Sequence, residues 1–150
     1  MSLDGSLMNL QRVLSQAWNR AAGGGREGLS SSEFEYLLCV HLAEGGEPGP
    51  DSGEHDDSSH LSALAAEMQV QKSSASVMVN KLEKRGLIRR VTCHYDARAQ
   101  HILLTERGRE LFLRTREAVY SGLAQSMAER LQPAEYRTLE QLLDKVCADQ

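Results

Sequence analysis

The hydrophobic period of the chain changes at Gly86, and this change restricts the possible folds more than any other feature. Before it, the stretch KSSASVMVNKLEKR (72–85) spaces its apolar residues three or four positions apart, which predicts an amphipathic helix ended by the glycine. After it, short apolar runs around Ile88 and Ile102 flank a polar stretch, residues 93–100, which predicts a two-stranded hairpin. Few small-domain architectures lead a helix directly into a β-hairpin.

The other apolar patterns are helical. We predict a first helix that ends at a run of three glycines, a second that begins with a serine cap at Ser30 or Ser31, and a short third that begins with Ser62 as its N-cap. A long helix is predicted from Thr105, and a last one from Pro133, because proline is favoured in the first turn of a helix. The expected fold class is therefore mainly α with a small β-hairpin, in a single chain of 150 residues.

One segment departs from the helical pattern. Residues 44–60, EGGEPGPDSGEHDDSSH, are rich in Gly, Pro and Ser and contain no Lys or Arg, and six acids lie between Glu44 and Asp57. This composition is typical of a loop. We predict an acidic loop inserted between the second and third helices. Because phosphate would repel it, we expect it either to point away from a polyanion or to modulate affinity for one as a mobile screen.

Charge is distributed unevenly along the chain. The net charge of −4 and the pI of about 5.7 argue weakly against binding to nucleic acid. Residues 72–116 nevertheless contain 11 Lys and Arg against 4 acids, a local charge of +7, whereas the remainder carries −11. Binding to a polyanion depends on the local field at the contact face, so this segment is the candidate nucleic-acid surface.

Two short helices joined by a tight turn and followed by a basic hairpin predict a winged helix-turn-helix in residues 30–105. The major groove of DNA admits one helix, whose first side chains must be short and polar enough to approach base edges. The hairpin, here called the wing, would place Arg98 in the adjacent minor groove and Arg89 and Arg90 beside phosphates. The predicted contacts on the second short helix are Lys72, Ser73, Ser74, Ser76, Val77, Asn80, Lys81 and Lys84.

Several spaced motifs resemble those of the MarR family of bacterial transcription regulators: LSALAAEMQVQKSSASVMVNKLEKRGLIRR and, after it, YDARAQHILLTERG. The resemblance implies a symmetric homodimer, held by helical regions 5–25 and 106–150, that binds a pseudo-palindromic operator in double-stranded DNA as a repressor or an activator; of the two we expect a repressor. It also implies that Asp96 supports Arg98 in the wing. The acidic insertion, Val77 and the cap residue Gln71 depart from the family pattern.

Many members of this family release DNA when a small, often phenolic, molecule or an oxidant acts on them. For such an aromatic or phenolic effector, the candidate contacts in this chain are Trp18, Tyr36 and His41. For an oxidant, the candidate is Cys93, which precedes His94 near the basic wing, since a sensing thiol needs a lowered pKa and access to solvent.

Other functional classes are less well supported. His55, Asp56, Asp57 and His60 could ligate a metal, but a loop rich in Gly and Pro does not arrange ligands in advance, and we expect no metal site. A metal-responsive regulator of the same fold, with zinc as the metal, is a minor alternative. No GxSxG, HExxH or Gly-rich phosphate loop is present, so we expect neither an enzyme nor a cofactor. The broad apolar stripes of the outer helices leave one alternative from another class, a helical adaptor that binds a protein.

Cysteine content and hydropathy indicate the compartment. The three cysteines are widely spaced and form no CxxC motif, which is typical of reduced thiols in a cytoplasmic protein. No apolar run approaches the roughly 20 residues that a membrane span needs, and the first residues lack the pattern of a secretory signal. We therefore expect no membrane partner.

Overall fold

The computed structural model describes residues 2–21, 27–45 and 60–148, and its elements confirm the predicted fold class. In chain order they are α1 (Leu3–Ala21), α2 (Ser31–Gly45), α3 (Leu61–Glu67), α4 (Lys72–Lys84), β1 (Ile88–Thr92), β2 (Gln100–Leu104), α5 (Glu106–Arg116), a π-helical turn (Glu117–Ser121), α6 (Gly122–Arg130) and α7 (Pro133–Cys147). Most of the predicted acidic loop, residues 46–59, lies outside the described residues.

The chain divides into two compact units. The winged unit comprises residues 24–115, and the terminal unit comprises residues 1–23 and 116–150. We predicted that the winged region would end at residue 105, but the first ten residues of α5 belong to the winged unit. The reason is Phe112, which is 1% exposed and stacks on Phe34 of α2 with ring centroids 4.9 Å apart.

The first two helices of the winged unit begin for different reasons, one local and one tertiary. The predicted serine cap of α2 is Ser30: its hydroxyl accepts the Glu33 amide at 3.1 Å, and the Glu33 carboxylate accepts the Ser30 amide at 3.1 Å. The prediction for α3 was wrong, because its N-cap is His60 rather than Ser62. His60 has an extended backbone and forms an isolated antiparallel bridge with His101, which places the helix start earlier than predicted.

A glycine ends α4 as predicted. Gly86 has φ of +71°, a conformation that disfavours other residues. Its amide donates to the Glu83 carbonyl at 2.9 Å and the following Leu87 amide donates to the Leu82 carbonyl at 3.0 Å, the two bonds of a Schellman motif. The chain then turns sharply into β1.

The wing is an antiparallel pair in which Ile88 faces Leu104 and Thr92 faces Gln100. Ile88, Ile102 and Leu104 are buried, so one face of the hairpin packs into the core of the winged unit. Helix α5 begins at Glu106, one residue after the predicted start at Thr105, because Thr105 caps it: its hydroxyl accepts the Gly108 amide at 3.0 Å and donates to the Gly86 carbonyl at 2.6 Å.

The terminal unit is helical. Trp18 of α1 packs edge-on against Tyr120, with ring centroids 6.1 Å apart. Helix α7 begins at Pro133 as predicted, and its first turn is closed by a capping box between Gln132 and Glu135. In the part of the chain that the structure describes, no helix is long and apolar enough to cross a membrane.

Candidate nucleic-acid interface

Helix α4 has one buried face and one solvent-facing face. Ala75, Val79 and Leu82 are buried against the rest of the winged unit. The residues predicted to contact DNA are exposed with one exception, the half-buried Ser76; the exposed ones are Lys72, Ser73, Ser74, Val77, Asn80, Lys81 and Lys84. The period that buries the apolar residues therefore also collects the predicted contacts on one surface.

Val77 is the unusual member of this surface. Its side chain is 70% exposed, although an apolar side chain gains nothing from contact with water. An exposed valine among serines and lysines has the chemistry to contact the methyl group of thymine in the major groove.

The N-terminus of α4 has no side-chain cap. The N-cap residue Gln71 has an extended backbone, and its side chain makes no cap hydrogen bond. The first amides of a helix have no partner within the helix, and they attract anions such as phosphate. This end of α4 therefore suits a phosphate group, and Lys72 beside it adds a positive charge.

In the wing, Asp96 supports the backbone of Arg98 rather than its guanidinium. The Asp96 carboxylate accepts the Arg98 amide at 3.0 Å, and the Asp96 carbonyl accepts the Ala99 amide at 3.0 Å. The Cys93 amide donates to the Ala99 carbonyl at 3.1 Å and closes the loop. Arg98 is exposed at the tip that these bonds shape.

Arg90 connects the wing to α4 instead of standing free beside phosphates as predicted. Its guanidinium donates to the Asn80 side-chain oxygen and lies 3.5 Å from the Glu83 carboxylate. The phosphate contact predicted for Arg90 would compete with both partners, and the base contact predicted for Asn80 would compete with Arg90. Arg89, on the same strand, is exposed.

A groove of about 520 Å³ lies between α3, the start of α4 and the wing. Its lining includes Lys72, Arg90 and Arg98, with Asp96 and His60 on its walls. Of the predicted contacts, Lys72 from the helix and Arg90, Asp96 and Arg98 from the wing thus line one groove, which the separate sequence motifs could not show.

Sequence reasoning missed Arg85, the residue that fixes the C-terminal end of α4. Its guanidinium donates to the Glu33 carboxylate at 2.6 Å and to the carbonyls of Glu27 and Gly28 at 3.1 Å and 3.0 Å. Burial by itself raises the pKa of Glu33, but hydrogen bonds from the Ser30 amide and Arg85 outweigh it, so the pKa lies below its ordinary value. The pair holds α4 against the start of α2.

Glu44 also differs from its prediction. We assigned it to the acidic loop, whereas it lies in the last turn of α2. Its carboxylate accepts the Leu104 amide at 2.7 Å and pairs with Arg109 at 2.9 Å. Glu44 thereby ties the end of the wing to α5, and its two partners, sixty or more positions away, explain why the helix continues to it.

The structure does not support Cys93 as a redox sensor. Its side chain is 3% exposed, so an oxidant has little access to it. Cys39 is half-buried with its sulfur 3.5 Å from the Met68 sulfur, and burial raises its pKa, which makes it a packing residue rather than a reactive thiol. Cys147 is exposed.

The three candidate effector contacts do not belong to one unit. Trp18 lies in the terminal unit, whereas Tyr36 and His41 lie in the winged unit. Tyr36 is buried, and the His41 ring packs on Phe112 with centroids 4.8 Å apart. Tyr36 and His41 therefore have core contacts of their own.

Of the four residues considered for a metal, His55, Asp56 and Asp57 lie outside the described residues. His60 lies in the winged unit, where its side chain approaches Cys93 and His101 instead.

Comparison with known proteins confirms the resemblance predicted from the sequence. The sequence profile of the MarR family matches residues 54–99. A Thauera aromatica protein, described as a candidate transcriptional regulatory protein for the hcr operon, is 39% identical over 85 residues, which are 57% of this chain and 51% of that protein. The chain thus spans about half of that relative's length.

Solved structures agree with the fold over nearly the whole chain. Wild-type MarR from E. coli, in its apo form, has a TM-score of 0.69 at 19% identity, with 98% of both chains covered. MepR from S. aureus, in a complex with DNA, has a TM-score of 0.68 at 15% identity, with 100% of this chain and 99% of that chain covered. At these identities the likeness shows the fold alone.

Proposed function

The chain has the fold of the MarR-family transcription regulators, and from that premise we propose that it binds specific double-stranded DNA as a homodimer and represses transcription. The observation that carries this proposal is the solvent-facing side of α4. Seven polar, basic or small residues project from it while its opposite face is buried, and the groove beside it is lined by Lys72, Arg90 and Arg98. A helix so mounted can enter the major groove while its buried face stays packed.

Recognition would then be divided between the two elements. The side chains of α4 would contact base edges, with its uncapped N-terminus and Lys72 on the flanking phosphates. Arg98, held at the tip by the Asp96 turn, would enter the minor groove. MepR from S. aureus, which has the same fold, was solved in a complex with DNA, and this is consistent with a DNA-binding role for the fold.

The homodimer is proposed from the terminal unit. Its helices expose large apolar side chains that water solvates poorly; they are Leu3, Leu7 and Met8 of α1 and Leu142, Leu143 and Val146 of α7. Exposed apolar patches of this kind mark protein interfaces. With two copies, the α4 helices would address half-sites about one helical turn apart, roughly 34–36 Å.

We also propose that a small aromatic or phenolic molecule releases the DNA, as the resemblance to the family implies. Within the terminal unit, α1 and residues 118–130 border a groove of about 680 Å³. Apolar Leu10, Val13 and Met127 line it together with Arg20 and Arg130, a combination that suits an aromatic ring bearing an acidic group. Trp18, one of the predicted effector contacts, is adjacent in sequence to Ala17, which lines this groove.

The test of DNA binding starts with DNA selected from a random duplex pool by the purified chain. We expect enrichment of one inverted repeat, and Arg98→Ala should weaken binding to it by on the order of 1–3 kcal/mol. The slope of log affinity against log salt concentration is negative, and its magnitude should decrease by roughly 0.9 for each phosphate contact that the substitution removes.

Arg114→Ala is the matched control, because Arg114 is exposed on α5 and lies outside both α4 and the wing. It removes the same charge and should leave affinity nearly unchanged. If selection enriches no sequence, the adaptor alternative replaces the regulator; equal decreases in affinity in both variants would refute the role of the wing. Repression itself is measured with a reporter placed behind the selected site, which should be more active in cells lacking the chain.

A further inference from the structure

Three side chains with metal-binding atoms meet at the root of the wing. His60 immediately precedes α3, Cys93 follows β1 directly, and His101 lies within β2. Their ligand atoms, two imidazole nitrogens and one sulfur, all lie within 4.8 Å of one another. The two Nε2 atoms are 3.4 Å apart, and the two rings have centroids 4.5 Å apart.

These distances suit a shared ion. Zinc binds imidazole nitrogen at about 2.0–2.1 Å in a tetrahedron, which places two such nitrogens about 3.3–3.4 Å from each other. The observed 3.4 Å between the Nε2 atoms is therefore the separation expected of two ligands of one metal, and without a metal the same two atoms can form a long hydrogen bond. In a tetrahedral site the nitrogen–sulfur separation is about 3.5–3.6 Å, so the sulfur would need to approach by up to about 1.3 Å.

Backbone structure holds the three residues in place. His60 and His101 form a β-bridge, His101 is paired in register with Val91, and the Cys93 amide is bonded to the Ala99 carbonyl. The three ligands thus come from three segments that pack together, unlike the loop cluster considered from the sequence. Cys93 is buried and both histidines are half-buried.

His60 also lines the groove of about 520 Å³, so the site borders a solvent-accessible space at this ligand. A metal site needs an entry path as well as suitable ligands.

We infer that His60, Cys93 and His101 form a binding site for a divalent cation of intermediate softness, with Zn²⁺ as the expected occupant and water in the fourth position. Two imidazoles and a thiolate are ligands that Zn²⁺ accepts, whereas Mg²⁺ and Ca²⁺ require oxygen. On binding, the Cys93 thiol releases its proton to solvent as the sulfur–metal bond forms, and no electron is transferred.

The ion would connect the start of α3 to both strands of the wing. Arg98 lies in the short loop that Cys93 and Ala99 close, so a fixed Cys93 restricts the motion of this loop. Ordering the loop in advance lowers the entropic cost of DNA binding, and we expect the ion to increase DNA affinity. This consequence rests on the proposed function, whereas the metal site does not.

The site is tested by Zn²⁺ titration of the full chain against a chromogenic chelator. We expect one tight site per chain, and His101→Gln and Cys93→Ser should each lower its affinity more than about tenfold. His94→Gln and Cys147→Ser are matched controls on an exposed histidine and an exposed cysteine, and they should bind as the parent does. Far-ultraviolet circular dichroism verifies that each variant is folded.

Co²⁺ provides a second readout that identifies the ligand. A thiolate–cobalt charge-transfer band should appear with the parent and disappear with Cys93→Ser, while Cys147→Ser retains it. The proposal is overturned if Zn²⁺ affinity is unchanged in both His101→Gln and Cys93→Ser. It is also overturned if His55→Gln abolishes binding while His101→Gln does not, because the ligands would then lie in the acidic segment.

DNA titrations with Zn²⁺ or with excess chelator separate the two proposals. Stronger binding with Zn²⁺ in the parent, but not in His101→Gln, supports both the site and its coupling to the wing. Zn²⁺ binding without any change in DNA affinity supports the site and overturns the coupling. A chain that binds Zn²⁺ and selects no DNA sequence retains the site and refutes the proposed function.

Discussion

Replacing Gly108 by alanine should destabilise the chain, although alanine is the better helix former. Gly108 lies in the first turn of α5, where it is buried against the backbone of Leu87. A Cβ atom at this position would lie 1.9 Å from the Leu87 carbonyl oxygen and 2.8 Å from its carbonyl carbon. Because the obstacle is backbone, no rotation of a side chain can remove the overlap.

Three contributions determine the change in the free energy of unfolding, one favouring alanine and two opposing it. Helix propensity favours alanine over glycine by about 1 kcal/mol. Overpacking costs about 1–3 kcal/mol, and the backbone obstacle places this site at the upper end. Moving Leu87 also weakens the bond from the Thr105 amide to the Leu87 carbonyl, now 3.1 Å, which is worth about 1 kcal/mol. We expect a net loss of about 2–3 kcal/mol, or roughly 4–12 °C in Tm for a chain of this size.

Urea unfolding followed by far-ultraviolet circular dichroism measures this decrease in stability. Gly122→Ala is the matched control, since it lies in a helix and its nearest neighbour is the Glu117 carbonyl oxygen at 4.0 Å. The control should gain about 0.5–1 kcal/mol from helix propensity alone. If Gly108→Ala is as stable as the parent or more stable, the close packing of α5 on the hairpin is refuted.

Three further predictions concern α4 and Glu33, its ion-pair partner on α2. Arg85→Ala should cost about 2–3 kcal/mol in urea unfolding, because Glu33, 4% exposed, loses its cationic partner, whereas Lys84→Ala should cost less than about 0.5 kcal/mol. The folded-state pKa of Glu33 lies below its ordinary value of 4.5. The stabilisation that the ionised carboxylate contributes is therefore present above that value and is lost as the pH falls through the lowered pKa. Glu33→Gln should remove this acid dependence, and an acid unfolding transition that is unchanged in Glu33→Gln would contradict the role of the Glu33 carboxylate. Val77→Ala should leave the free energy of unfolding unchanged but weaken binding to the selected site by up to about fourfold, as expected when about one methyl group leaves the interface. If the parent binds this site equally well with uracil in place of thymine, Val77 does not contact a thymine methyl group.

Local features of the sequence determined most of the elements. The ends of α4, α5 and α7 depend on Gly86, Thr105 and Pro133, whose effects reach only a few positions along the chain. The 3.6-residue period also determined which side of α4 faces solvent, because burial of its apolar residues leaves the other side exposed. This is why the predicted contacts on this helix, apart from Ser76, lie on one exposed surface.

Positions where distant segments meet could not be read in this way. The start of α3 was misplaced because His60 pairs with His101, and the boundary of the winged unit was misplaced because Phe112 stacks on Phe34. In each case the deciding partner lies forty or more positions away. Sequence periodicity carries no information about such a partner.

The sequence by itself thus determined the class of fold, the basic segment and the residues predicted to contact DNA, since these follow from local propensity and from charge counted along the chain. Only the tertiary structure decided which charges are free and which are engaged: Arg85 is held by Glu33, and Arg90 by Asn80 and Glu83. It alone brought His60, Cys93 and His101 together. The physical reason is that hydrogen bonds, ion pairs and metal coordination act over a few ångströms in space, and packing decides which residues come that close.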